Sequence, residues 1–145
     1  MKYEEFIGKV RKRARLASPE EAENATRATL STLAERLKGN ETDDLAAQLP
    51  LELAEFMITP HAGSGESYGL DEFFRRVSER EGASLADAEY HARVVIGLLA
   101  EVVTVGEIDD VRAQLPSDFA HLFEVENEGE IPELGTIADV EEENA

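Results

Sequence analysis

Three histidines are the residues of this chain best suited to metal binding or proton transfer. His61, His91 and His121 lie far apart, and no two have the His-x-x-x-His spacing that places two imidazoles on one helical face. His91 follows Asp87 by four residues, but two ligands do not define a metal site. The chain has no cysteine, which excludes disulfides and cysteine-ligated metals. The sequence therefore predicts neither a metal nor any other cofactor.

The carboxylates and serines form no recognisable catalytic pattern. A hydrolase with paired carboxylates needs one acid in an apolar cleft, and we expect the carboxylates here to lie on solvated helical faces or in the tail. Ser18 and Ser84 each precede a predicted helix and are interpreted as N-caps. Gly63-Ser64-Gly65 follows no predicted strand, so it is not interpreted as a phosphate-binding loop. No catalytic residue is predicted, and enzymatic activity is the less favoured interpretation.

One short segment is strongly basic. This basic segment comprises Lys9, Arg11, Lys12, Arg13 and Arg15. On a helix, these residues would form either a solvated face or a docking patch for an anionic partner such as nucleic acid or a membrane surface. The segment has no interleaved aromatic residues and the whole chain carries a net charge of −18, so nucleic acid is the minority interpretation.

The charge composition points to a particular environment. The chain has 32 acidic and 14 basic residues, and only four of the basic residues are lysines. Abundant carboxylate with little lysine is typical of proteins that work in molar salt, which predicts adaptation to high salt and a halophilic archaeal source. The N-terminal residues lack the apolar stretch of a signal peptide, and no apolar run is long enough to cross a bilayer. We therefore expect a cytoplasmic protein without membrane association.

An internal repeat organises the chain. The segment from Asp43 to Pro50 recurs, with changes, from Asp109 to Pro116, an offset of 66 residues. At this offset more than a third of the aligned pairs between residues 17–57 and 83–123 are identical, which indicates a tandem duplication. The shared polar residues are Glu23, Arg27, Asp43, Asp44 and Gln48 in the first copy and Glu89, Arg93, Asp109, Asp110 and Gln114 in the second.

A structural role accounts for each shared polar residue. The Glu and Arg residues have the i, i+4 spacing of ion pairs on a helix. The Asp pairs are expected in the first turn of a short helix, where negative charge is favourable. The glutamines precede a Leu-Pro turn, where an amide can satisfy carbonyl groups left open at a helix end.

Each copy has the pattern of four helices. Tyr3, Phe6, Ile7 and Val10 share one face of the first helix, and Pro50 is expected to open the fourth helix. No segment alternates with a period of two residues, so no sheet is predicted. The predicted fold is all-α, a tandem duplication of a four-helix unit with a pseudo-twofold arrangement. Its parts are a first repeat (1–57), a flexible linker (58–69), a second repeat (70–123) and an acidic, disordered tail (124–145).

The paired units resemble a known family. A Glu-Phe-x-x-x-Val segment followed by Asp-Asp and Ala-Gln-Leu-Pro is similar to domain of unknown function 2267, and the resemblance covers about residues 3–123. It implies a helical, prokaryotic protein and no established activity. Many members of this family carry a Trp-containing segment after the first Gln-Leu-Pro, and this chain has no Trp.

Three functional hypotheses follow from the sequence. The leading one is a non-enzymatic module for protein–protein interaction or regulation, adapted to high salt, with a protein as its partner. The alternative is a ligand-binding protein or enzyme with a site between the two repeats, which requires a concave pocket with convergent polar groups there. The third is a nucleic-acid-associated protein that uses the basic segment.

Overall fold

The regular structure of this protein is helical. The computed structural model describes residues 1–123, so the predicted acidic tail at 124–145 lies outside the described residues. The helices are α1 (Tyr3–Arg13), α2 (Pro19–Arg36), α3 (Asn40–Ala46), α4 (Leu51–Phe56), α5 (Leu70–Glu81), α6 (Leu85–Val102), α7 (Val105–Ala113) and a final 3-10 helix (Ser117–Phe123). Extended pairing within residues 1–123 is limited to one isolated antiparallel bridge between Lys38 and Ser64. The all-α prediction is confirmed.

The two longest helices begin at serine caps. The Ser18 hydroxyl accepts a hydrogen bond from the Glu21 amide at 3.2 Å, and the Ser84 hydroxyl accepts one from the Asp87 amide at 3.1 Å. These bonds satisfy amide groups that have no partner within the helix, which fixes where α2 and α6 start. Asp43 lies in the first turn of α3, where its charge meets the positive end of the helix, but the same expectation is wrong for Asp44, which lies beyond that turn.

Helix α7 begins earlier than the sequence pattern suggested. The Thr104 hydroxyl accepts a hydrogen bond from the Glu107 amide at 3.2 Å and so caps this helix. Gly106 is therefore inside α7. The expectation that Asp109 and Asp110 lie in the first turn is wrong, because Glu107 is the acidic residue of that turn.

One apolar core joins the two halves of the described chain. The core combines the predicted inward faces of α1 and α2 with those of α5 and α6, and α2 packs on all three of these helices. Phe73 packs edge-to-face on Phe119 with 5.6 Å between ring centroids. Each fully buried large side chain of this kind contributes about 1.5–3 kcal/mol of transfer free energy. No helix among residues 1–123 is long and apolar enough to span a bilayer.

The segment predicted as a linker is a hydrogen-bonded connection that covers the C-terminal end of α2. The Gly63 amide donates to the Ala34 carbonyl at 2.8 Å, and the Gly65 amide donates to the Leu37 carbonyl at 2.9 Å. The last carbonyl groups of a helix have no partner within it, so the linker amides fill that need. Gly65 has φ +66, and a Cβ there would lie 2.9 Å from the Lys38 Cβ.

Candidate functional site

A cleft of about 650 Å³ opens where the α1–α2 loop faces the α5–α6 loop. Its volume lies within the range typical of small-molecule sites. Each half of the chain supplies polar side chains to it, a convergence that no single repeat could provide. These polar residues are Arg15, Glu21 and Asn24 from the first half and Glu81, Ser84, Asp87, Tyr90 and His91 from the second.

A buried carboxylate–imidazole pair forms one wall of the cleft. His91 Nδ1 and Glu81 Oε2 are 2.5 Å apart, and the side chains are only 10% and 6% exposed. Glu81 Oε1 is buried and has no hydrogen-bond partner among residues 1–123. Leaving a buried acceptor unpaired costs about 1–3 kcal/mol, so a donor that reached this oxygen would remove that penalty.

The turn between α5 and α6 brings this pair together. Gly82 ends α5 in the left-handed conformation, with φ 76, and Ser84 starts α6 two residues later. The chain therefore reverses directly after Glu81, which returns His91, two turns into α6, to the end of α5. The sequence spacing pointed to Asp87 as the neighbour of His91, whereas the carboxylate bonded to His91 is that of Glu81. The signal that could have found it was a glycine directly after a predicted helix and before a serine cap.

The opposite rim of the cleft has an unusual backbone conformation. Arg15 has φ 58, a left-handed conformation that is unfavourable for a residue with a Cβ. Close to this turn, the Tyr90 hydroxyl donates a hydrogen bond to the Arg13 carbonyl at 2.6 Å. This bond ties the α1–α2 loop to α6 beside the cleft, so the two walls are held together.

A second acidic pair lies where α3 contacts α7. The carboxyl groups of Glu41 and Glu107 hydrogen-bond to each other, and burial together with this bond and repulsion from Asp110 and Asp44 raises the pKa of Glu41 to about 8. Oε2 of each glutamate is buried and accepts no hydrogen bond from any other residue among 1–123. The expectation that the carboxylates lie on solvated faces is wrong for this pair, because packing of α3 on α7 covers it.

The two shared glutamines make reciprocal contacts between the halves. Gln48 Oε1 accepts from the Thr104 amide at 2.9 Å, and Gln114 Oε1 accepts from the Lys38 amide at 2.8 Å. Lys38 and Thr104 are equivalent at the 66-residue offset, as are the two glutamines. Each glutamine therefore binds the loop after the long helix of the other half. The expectation that the amides act at their own helix ends is wrong for these bonds, because the donors lie in the other half.

The shared Glu and Arg residues behave differently in the two halves. Glu89 and Arg93 form the expected i, i+4 ion pair at 3.1 Å. Glu23 instead accepts a hydrogen bond from the Tyr3 hydroxyl. Arg27 donates a hydrogen bond to Asn24 and lies over the ring of Phe56. The predicted Glu23–Arg27 pair is wrong, because the start of α1 packs beside α2 and presents a competing donor.

The basic segment is divided among several contacts. Arg13 forms an ion pair with Glu101 at 2.7 Å, and an Arg11 guanidinium nitrogen donates to the Ala17 carbonyl at 3.2 Å. Arg15 faces the cleft. Lys12 is exposed and Lys9 is partly buried, so the segment does not present one continuous basic face.

The other histidines lie apart from the cleft. His61 is in the linker, and His121 is in the final 3-10 helix. Within residues 1–123, no group of three or more His, Cys, Asp or Glu side chains is placed to hold a metal ion.

Comparison with known proteins identifies the family. The model of the uncharacterized conserved protein family DUF2267 matches residues 3–122. The chain belongs to this family. The DUF2267 match spans both halves and every residue of the cleft. No curated protein matches the chain.

Proposed function

We propose that this DUF2267 chain is a ligand-binding protein and that the cleft between its two halves is the binding site. The observation that carries the proposal is the buried Glu81–His91 pair in the lining of the cleft, in which one carboxylate oxygen has no hydrogen-bond partner among residues 1–123. Such a function requires a concave pocket with convergent polar groups, and the cleft has both properties.

The proposal assigns no chemical step to the cleft. Ser84 is the serine in the lining of the cleft, and its oxygen caps α6. A hydroxyl committed to a helix cap is poorly placed to attack a substrate, because the attack would break the cap. We therefore favour binding over catalysis.

We further propose that the two halves are copies of one unit, residues 1–57 and 70–123, related by a pseudo-twofold arrangement. The reciprocal bonds of Gln48 and Gln114 support this, because equivalent residues exchange equivalent contacts. The cleft then arises from the duplication. Only the second copy supplies the carboxylate–imidazole pair, since Ala25 occupies the position equivalent to His91.

The proposed setting is the salt-rich cytoplasm of a halophilic archaeon, which the net charge of −18 and the scarcity of lysine support. A protein partner stays a weaker proposal. The most exposed apolar residues, Leu51, Ile58 and Val105, are 71%, 77% and 78% exposed, but single exposed apolar residues are common on protein surfaces. Nucleic acid is weaker still, because the basic segment is divided.

A steric block of the cleft tests the proposed function. Asp87 and Asp71 are both exposed aspartates in the first turn of a helix, but only Asp87 lines the cleft. Polar metabolites would be screened against the full chain by thermal shift. We expect the stabilising compounds to lose their effect in Asp87→Trp and to keep it in the matched control Asp71→Trp. Compounds that act equally on both variants, or no stabilising compound at all, would contradict the proposal.

A further inference from the structure

We propose that the ligand of the cleft is a small organic cation, an ammonium or guanidinium compound, and that Glu81 is its anchor. The inference rests on the proposed function and names the chemistry of the ligand. It follows from two independent features of the cleft, the unused hydrogen-bonding capacity of Glu81 and the balance of charge around it.

The hydrogen bonds of Glu81 leave one defined place for a donor. Its Oε2 is occupied by His91 Nδ1 at 2.5 Å, while its Oε1 is buried without a partner among residues 1–123. A carboxylate oxygen only accepts hydrogen bonds, so the group that fills this place must donate. Charged N–H donors form shorter and stronger bonds to a carboxylate than neutral donors do. An ammonium or guanidinium group that reached Oε1 would therefore be favoured over a neutral donor.

The charges that line the cleft favour the same ligand class. The acidic side chains are Glu21, Glu81 and Asp87, and the basic ones are Arg15 and His91. Even with a protonated imidazole, the carboxylates outnumber the cations. The remaining polar residues of the lining, Asn24, Ser84 and Tyr90, are neutral. A concave site with an excess of one charge concentrates ions of the opposite sign, and the acidic surface of the whole chain adds to this effect.

Three four-carbon probes of different charge test the inference. The probes are 1,4-diaminobutane, 1,4-butanediol and succinate, which differ in charge more than in length. Each would be titrated into the full chain at moderate ionic strength, with backbone amide NMR to locate binding and calorimetry to measure affinity. We expect the diamine to shift the amide resonances of Glu81, Asp87 and His91 in a saturable way, and succinate to leave them unchanged.

Matched variants separate the anchor from general attraction to an acidic protein. Glu81→Gln is expected to weaken diamine binding at least tenfold. Glu79→Gln removes the same charge from the same helix, two residues away and outside the cleft lining, and is expected to leave binding unchanged. If Glu81→Gln does not fold, Asp87→Asn at the exposed edge takes its place, with an expected threefold or greater loss.

Each outcome decides a specific point. Saturable diamine binding that Glu81→Gln weakens and Glu79→Gln does not would support the inference. Binding of butanediol or succinate alone at the cleft would overturn the cation assignment and leave the ligand-binding function standing. Equal weakening by both variants would overturn the role of Glu81. If none of the probes, and no compound of the metabolite screen, perturbs the cleft, the inference and the proposed function both fail.

Discussion

At the scale of single residues, the buried Glu81–His91 pair is the clearest feature that composition does not explain. Removing one partner of a buried pair leaves the other without compensation, which costs about 3–5 kcal/mol in measured cases. We expect His91→Ala to lower the free energy of unfolding by about 3 kcal/mol in urea melts. Glu81→Gln should cost less, because an amide can still hydrogen-bond to the imidazole. His61→Ala, in the linker, serves as the control, and an equal effect of the two alanine variants would contradict this assignment.

Glu41 and Glu107 make stability depend on pH. The pKa of Glu41 is raised to about 8, so the folded chain keeps a proton that the unfolded chain loses from about pH 4.5 upward. The free energy of unfolding should therefore fall as the pH rises from about 4.5 to about 8. Glu41→Gln should flatten this dependence and add about 1–2 kcal/mol at pH 8, since solvent partly screens the pair. Urea melts at pH 5 and pH 8 measure both effects.

The exposed Glu55→Gln is the control for the acidic pair, and it should leave the pH dependence as it is in the native sequence. Because the carboxyl group of Glu107 helps to raise the pKa of Glu41, Glu107→Gln should reproduce part of the effect of Glu41→Gln, and the double variant should add little more. Stability that does not change between pH 5 and pH 8 in the native sequence would refute the raised pKa of Glu41.

At the scale of elements, the glutamines connect the short helices of one half to the loops of the other. We expect Gln48→Ala and Gln114→Ala each to lower the free energy of unfolding by about 1 kcal/mol, the usual net value of such bonds. Gln48→Glu retains the oxygen that accepts from the Thr104 amide and should lose less. Chemical denaturation compares the three variants. Losses confined to one of the two alanine variants would argue against equivalent roles in the two halves.

The linker contributes to the fold through the glycine that approaches α2 most closely. Gly65→Ala combines an unfavourable φ of +66 with a contact of 2.9 Å to the Lys38 Cβ, and should cost about 1–2 kcal/mol or more. Gly8→Ala is the control, because no atom lies near the added Cβ inside α1, and it should be neutral or slightly stabilising. Thermal melts of both variants check the difference, and a neutral Gly65→Ala would show that the linker is not held against α2.

At the scale of the whole molecule, a net charge of −18 opposes compaction through repulsion between carboxylates. Molar salt shortens the screening length to about 3 Å and removes most of that penalty. We therefore expect the melting temperature to rise by about 10 °C or more between low and molar KCl, given that about 1 kcal/mol shifts a domain of this size by about 3–5 °C. Equal melting temperatures in the two solutions would remove the argument for adaptation to high salt.

The helices were predictable because their signals are local. Apolar residues at helical spacing and serine caps depend on neighbours within one or two turns, so the sequence alone determined the all-α class, the number of helices and most of their ends. The signal that starts α7 is local too, because Thr104, directly before Val105, caps that helix.

The candidate site was decided by the tertiary structure. Glu81 and His91 are ten residues apart, a spacing that does not signal contact, and Glu41 and Glu107 are equivalent at the 66-residue offset, which by itself does not bring them together. Their burial and their hydrogen bonds exist only after α5 folds back on α6 and α3 packs on α7. The sequence determined which residues carry charge. Packing determined which of those charged groups are buried away from water and therefore need a hydrogen-bond or ion-pair partner.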